Sequence, residues 1–178
     1  MARAGLSRSD GSSVLDRYGS METADLAVVF GSTNDYFWSD MPIASDTSED
    51  DGYFSNAVRH LCLGMKEKYP GIPIVFIMPY QMRGIGNIYG GKDARTSSTH
   101  NTDQRNYVGC SLADYVRVQS QICRENQICV LDLFHNFKAD IAHSDEDEAR
   151  YTLDGCHPNA NGHRMIADAL YEFLNGMI

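Results

Sequence analysis

Three short runs of apolar residues alternate with amphipathic segments along the chain. The first run ends at Gly31, and proline borders the second. Uninterrupted apolar runs of this length are typical of strands that are covered on both faces, as in a parallel sheet. The predicted strands are residues 24–30 (ADLAVVF), 72–78 (IPIVFIM) and 128–133 (ICVLDL).

The segments between these strands have the apolar spacing of helices. In residues 51–69 the apolar positions Phe54, Val58, Leu61 and Met65 are four, three and four residues apart, which places them on one helix face. Strand, helix and strand joined by short connections form a βαβ unit. The pattern therefore predicts one α/β domain over residues 1–178, with further helices at 13–21, 109–126 and 159–174.

Three polar stretches are predicted to lie outside the regular elements. Residues 1–13 have no apolar period and should form a loop or a disordered arm, and the acidic residues 39–51 should form a solvated loop. Residues 79–107 form a long, glycine-rich segment, typical of a lid or a substrate wall. Its GIGNIYGG run lacks the spacing of a phosphate-binding loop, and His100 is read as a surface histidine.

Composition excludes several classes of protein. The net charge is -9 and the sequence pI is near 5.0, which disfavours nucleic acid and anionic membrane surfaces as partners. No apolar run approaches the roughly 18 residues of a membrane span, and the first residues lack the apolar centre of a secretory signal. The five cysteines are odd in number and have no C-x-x-C spacing, which favours free thiols in a reducing compartment such as the cytoplasm.

A metal site near the third strand is the first chemical possibility. His135 and His143 are close in sequence to the acidic run 145–148. They have no recognised ligand spacing, so a solvated acidic loop is the favoured interpretation. Nothing in the sequence implies a metal or an organic cofactor.

The stretch DGCHPN at residues 154–159 carries the clearest chemistry. Asp154 lies three residues before His157, on a turn that Gly155 and Pro158 stiffen. A carboxylate at this spacing can bind one ring nitrogen and leave the other free to take a proton, which is the base half of a nucleophilic triad. The alternative is a capped helix start with an incidental histidine.

A second polar turn follows the first predicted strand. The sequence GSTND at residues 31–35 begins with a glycine where ligands collect in α/β sheets, beyond the carboxyl end of a strand. The Asn34 amide could donate to a developing oxyanion there. The alternative is an Asx-turn, in which Asn34 and Asp35 cap their own backbone.

These two turns, GSTND and DGCHPN, resemble the third and fifth sequence blocks of the SGNH (GDSL) hydrolases, which are esterases and acylhydrolases. They are about 120 residues apart, and the stretches between them fall in family order. The resemblance implies a flavodoxin-like, three-layer α/β/α fold with a parallel sheet. It also implies that Asn34 is the oxyanion-hole amide, His157 the general base and Asp154 its partner.

The chain departs from the family pattern at the first block. No G-D-S turn, which carries the nucleophilic serine in the family, occurs in the 178 residues, and family order would put it upstream of Met1. The sequence GLSRS at residues 5–9 resembles the second block, G-x-S-G, with Arg8 where a glycine backbone N–H would complete the oxyanion hole. We therefore expect a chain that begins after the first two family strands.

Loss of those two strands would leave residues 24–30 as an exposed apolar edge, because the family sheet order is 2-1-3-4-5. Such edges pair readily with other chains. We expect this strand to pair with a second copy, giving a homo-oligomer, or with upstream sequence.

Three functions remain open from the sequence. The first is an ester hydrolase (esterase, lipase or acylhydrolase) whose triad serine is not evident in this chain, acting on an acetylated sugar, a short-chain ester or a lipid. The second uses a substitute serine. The third is a catalytically incomplete binding or assembly module on the SGNH scaffold. The candidate substitute serines are Ser7, Ser9, Ser12 and Ser32.

Overall fold

The computed structural model describes residues 14, 22–37, 41–43, 52–83, 105–106 and 108–177. Several predictions fall on the remaining residues and lie outside the described part. They concern most of the short helix 13–21, nearly all of the acidic loop, most of the glycine-rich segment, and the individual residues Ser7, Arg8, Ser9, Ser12 and His100.

The described chain alternates strands and helices, which confirms the predicted α/β class. Its three strands correspond to the three apolar runs, and its three long helices to the three longest amphipathic segments. In chain order the elements are β1 (Ala27–Phe30), α1 (Thr33–Phe37), α2 (Phe54–Lys68), β2 (Ile74–Met78), α3 (Leu112–Glu125), β3 (Cys129–Asp132), α4 (Leu133–Asn136), α5 (Asp145–Tyr151) and α6 (Ala160–Asn175).

The strands form one sheet in the order β1-β2-β3. β1 and β2 pair in parallel, with Ala27 opposite Ile74 and Phe30 opposite Ile77. All five residues of β2 are buried, as expected for a central strand covered on both faces.

The chain divides into two compact units. Unit 1 comprises residues 1–79 and 105–130, and unit 2 comprises residues 80–104 and 131–178. In unit 1, α2 packs on α3, and the Phe54 and Tyr115 rings meet edge to face with centroids 4.8 Å apart. The Tyr115 hydroxyl donates to the Met41 carbonyl at 2.5 Å and accepts from the Asn106 amide at 2.9 Å. The hydrogen bond between Tyr115 and Met41 ties the two segments of unit 1 together.

β1 is buried on one side only. Ala27 and Val29 are buried, whereas Val28 is 41% exposed and Phe30 is 45% exposed. Successive side chains of a strand point to opposite faces, so Val28 and Phe30 lie on the same open face. The sequence predicted a strand covered on both faces, and for β1 that detail is wrong.

Two details of unit 2 also differ from the sequence prediction. Residues 145–151 form a solvated helix rather than a loop, because the Ser144 hydroxyl caps it and four acidic residues in its first turn complement the helix dipole. The spacing of Ile166, Leu170, Phe173 and Leu174 predicts that helix 159–174 buries all four; in α6 Ile166 is buried and the other three are half-buried.

Within the residues that the structure describes, none of the helices has the length and apolar character needed to cross a membrane.

Candidate active site

Asp154 and His157 form a short local pair in unit 2. Asp154 Oδ2 lies 2.6 Å from His157 Nδ1, and Asp154 Oδ1 accepts the backbone N–H groups of His157 at 2.7 Å and Cys156 at 3.0 Å. Gly155 adopts a φ of +83°, a conformation that glycine allows without strain. The predicted contact between the carboxylate and the imidazole is therefore present in the structure.

The loop that carries this pair, residues 152–159, is called the histidine loop, and it is closed on itself. Thr152 and Pro158 form an isolated antiparallel bridge, and the Leu153 N–H donates to the His157 carbonyl at 2.8 Å. The Thr152 hydroxyl oxygen accepts the Gly155 N–H at 2.9 Å and donates to the Glu148 carbonyl at 2.8 Å. The loop thus holds a fixed shape between α5 and α6.

The charge on Asp154 favours His157 as a proton acceptor. Burial alone would raise the pKa of Asp154, but the hydrogen bonds from His157 and Cys156 outweigh it and hold that pKa below its ordinary value. An ionised carboxylate can only accept, so His157 Nδ1 carries the proton and Nε2 is left as the proton acceptor. The His157 side chain is 55% exposed, whereas that of Asp154 is 19% exposed, which puts the ring within reach of a substrate.

Cys156, between these two residues, is not a nucleophile. It is buried, and its Sγ lies 3.4 Å from Met82 Sδ. Burial first, and the Asp154 charge second, raise the pKa of the Cys156 thiol to about 12. Because the thiolate is the reactive form, this cysteine stays inert near neutral pH.

The same local arrangement occurs twice more in unit 2. His135 Nδ1 lies 2.8 Å from Asp132 Oδ2, and His143 Nδ1 lies 2.8 Å from Asp140 Oδ1. His135 and His143 line a common pocket of about 320 Å³. Within the described residues, no three His, Cys, Asp or Glu side chains converge as metal ligands.

Asn34 lies directly beyond β1, where the sequence placed it, but in the short helix α1 rather than in a turn, and it is exposed. It belongs to unit 1, whereas Asp154 and His157 belong to unit 2. Its convergence with them in one crevice stays a prediction. Arg8, the other proposed oxyanion donor, lies outside the described residues.

The turn before Asn34 contains buried polar groups that the sequence did not reveal. Ser32 has a φ of +89°, which is unusual for a residue other than glycine. Ser32 Oγ and both carboxylate oxygens of Asp35 are buried, with no hydrogen-bond partner in the described part of the chain. Burial raises the pKa of Asp35 well above its ordinary value.

The fold and this loop together define an α/β protein with an aspartate-held histidine just before its last described helix. Residues 2–165 match the model of the GDSL-like Lipase/Acylhydrolase family. The chain belongs to that family. No curated protein matches the sequence significantly.

Solved structures share the fold. A protein from Lactobacillus plantarum is 28% identical with a TM-score of 0.80, and the alignment covers 99% of this chain and 78% of that one. A possible lipase from Chitinophaga pinensis DSM 2588 is 22% identical with a TM-score of 0.68, covering 92% and 78%. An acetyl xylan esterase is 19% identical with a TM-score of 0.56, covering 90% and 75%.

Proposed function

We propose that the chain is a hydrolase of carboxylic esters in which His157 is the general base and Asp154 orients it. The observation that carries this proposal is the Asp154 carboxylate, which accepts three hydrogen bonds, two of them from His157 itself. Membership of the GDSL-like lipase/acylhydrolase family supports the reaction class. Acetylated sugars, short-chain esters and lipid esters all contain the bond that this chemistry would cleave.

The proposed reaction is acyl transfer through serine. His157 Nε2 takes the proton of a serine hydroxyl as the oxygen attacks the ester carbonyl, and the same proton then leaves with the alcohol. Water then hydrolyses the acyl-enzyme, with His157 again as the general base. The Asn34 amide and the Arg8 backbone N–H are the proposed donors to the oxyanion.

The serine of this triad is the one residue that the proposal does not assign. Among the candidates, Ser32 lies in the described residues, where it is fully buried and has no base in contact with its hydroxyl. Burial without a base argues against Ser32 as the nucleophile. The family's G-D-S turn does not occur in the 178 residues, so the proposal assigns the nucleophile to no described serine.

A second candidate function is a catalytically incomplete binding or assembly module on the same scaffold. The 178 residues contain no G-D-S, and β1 presents the exposed Val28 and Phe30 on one face. We propose that β1 pairs with a second copy of the chain, because β1 is the edge strand of the sheet that the described residues form, and its exposed apolar side chains would be covered by a partner.

Turnover of a short-chain nitrophenyl ester separates the two functions, and the chain supplies its own matched controls. The variants H135A and H143A each remove a histidine with the same local aspartate contact as His157. We expect H157A to lower kcat by at least about 100-fold, the usual range for loss of general base catalysis, and the two controls to retain wild-type turnover.

Equal losses in all three variants would contradict the assignment of His157. Equal turnover in wild type and H157A would mean background hydrolysis, the result expected of the binding module and also of a chain that lacks its nucleophilic serine. Labelling with a fluorophosphonate, followed by peptide mapping, would identify any serine that the base activates.

A further inference from the structure

The peptide bond that joins Cys156 to His157 is held on both sides. Its N–H donates to Asp154 Oδ1 at 2.7 Å. Its carbonyl accepts a buried hydrogen bond from the Tyr80 hydroxyl, which comes from the segment just after β2. The next carbonyl towards the N-terminus, that of Gly155, accepts the backbone N–H of Arg83 at 3.0 Å. Two consecutive carbonyls of the histidine loop are therefore bound by one distant segment.

Tyr80 is itself firmly placed. It is buried, and its ring stacks on Phe137 with centroids 4.8 Å apart and planes 16° apart. Burial, followed by the nearby Cys156 and Asp154, raises the pKa of Tyr80, so its hydroxyl remains a donor across the range in which enzymes work. Loss of this hydroxyl would leave a buried carbonyl without its partner.

The other end of the segment is anchored by the Arg83 side chain. Its Nε donates to the Ala142 carbonyl at 3.2 Å, and its Nη1 binds Asp145 at 2.5 Å and also contacts Glu148. Asp145 and Glu148 both belong to α5, the helix that leads into the histidine loop. Arg83 thus ties the segment to the element on which the loop begins.

We propose that Tyr80 is a positioning residue, whose hydroxyl fixes the plane of the Cys156–His157 peptide and thereby directs the His157 ring at Asp154. This inference rests on the proposed role of His157 as the base. The plane of that peptide sets both the direction of its N–H towards Asp154 and the origin of the His157 side chain. The Tyr80 hydroxyl is therefore needed for the geometry of the base as well as for stability.

The test compares Y80F with Y115F in the full chain. Each variant removes one buried tyrosine hydroxyl that donates to a backbone carbonyl, but Tyr115 serves the core of unit 1. We expect Y115F to lose at least as much thermal stability as Y80F, because the Tyr115 hydroxyl also accepts a buried hydrogen bond from Asn106. Only Y80F should lower kcat, by about tenfold, the equivalent of one buried hydrogen bond, with KM unchanged within about twofold.

A second readout does not depend on turnover. The ¹⁵N chemical shifts of the imidazole nitrogens report which nitrogen carries the proton, and H157A identifies the His157 signals. Y80F should move these signals towards the other tautomer, whereas Y115F should leave them unchanged. If Y80F does not fold, R83Q loosens the same segment and should move the same signals.

The possible results separate the two proposals. Identical kcat and identical His157 signals in Y80F and Y115F would overturn the positioning role and leave the hydrolase proposal intact. Wild-type turnover in H157A would overturn the hydrolase proposal, and the nitrogen shifts would still decide whether Tyr80 orients the ring. Shifted signals and reduced kcat in Y80F alone would support both.

Discussion

Replacing Gly162 by alanine tests whether the contact between α5 and α6 is as close as the structure describes. Gly162 is the third residue of α6, and its N–H is bound by the Asn159 side chain that caps this helix. From helix propensity alone, glycine to alanine inside a helix should stabilise the protein by about 1 kcal/mol. The surroundings of Gly162 predict the opposite sign.

A Cβ at position 162 would lie 2.2 Å from the Tyr151 carbonyl oxygen and 2.9 Å from Pro158 Cβ. The oxygen is backbone and cannot turn aside, so α6 or the histidine loop must move. Overpacking costs about 1–3 kcal/mol, and a backbone obstacle places this case at the upper end. The same carbonyl accepts the Asn159 N–H at 3.0 Å, and weakening that bond adds about 1 kcal/mol. After the propensity gain, we expect a net loss of about 2–3 kcal/mol.

Urea unfolding followed by far-ultraviolet circular dichroism measures this difference in the free energy of unfolding. G176A is the matched control, because a Cβ there would meet its nearest neighbours at ordinary distances of 3.5 and 3.7 Å. We expect G176A to remain within about 0.5 kcal/mol of wild type. If G162A were as stable as wild type, the close approach of Tyr151 to α6 would be wrong, and with it the fixed shape of the histidine loop.

Two further predictions concern unit 1. Burial raises the folded-state pKa of Asp35, so the free energy of unfolding of wild type should fall as the pH rises from about 4 through that pKa. D35N should therefore be the more stable protein at neutral pH and lose this advantage below about pH 4. A stability difference between D35N and wild type that does not change with pH would contradict this prediction. For β1, we expect the double variant V28K/F30K to shift sedimentation velocity profiles towards monomer, because lysine on an open strand blocks pairing. Identical profiles for the variant and wild type would exclude association through β1.

Local patterns of apolar residues made most of the fold predictable. Each run that became a strand is largely apolar, and each long helix repeats its apolar positions at three and four residues. The short helices α1, α4 and α5 were missed because four to seven residues are too few to show a helical apolar period, and individual side chains cap α4 and α5. Asp132 accepts the His135 N–H ahead of α4, Ser144 accepts the Asp147 N–H ahead of α5, and α5 buries no residue at all.

The candidate site was predictable only where its contacts are local. Asp154 and His157 are three residues apart, so their spacing alone suggested the hydrogen bond that the structure contains. Tyr80 reaches the same loop across 76 positions, and Arg83 joins Ala142 across 59. No periodicity or motif relates residues at such separations, because the fold alone brings them together.

Three copies of the same local pair show what the motif does and does not specify. In each, the carboxylate of an aspartate accepts the backbone N–H of a histidine three residues later and lies within hydrogen-bond distance of Nδ1 of the same histidine. The spacing D-x-x-H therefore specifies a turn, which helices and loops of this unit use repeatedly. Among the described residues, only Asp154 accepts a third hydrogen bond, and only its loop has two consecutive carbonyls bound by a distant segment. A general base must keep one geometry through the reaction, so these added restraints, rather than the motif, distinguish His157 from His135 and His143.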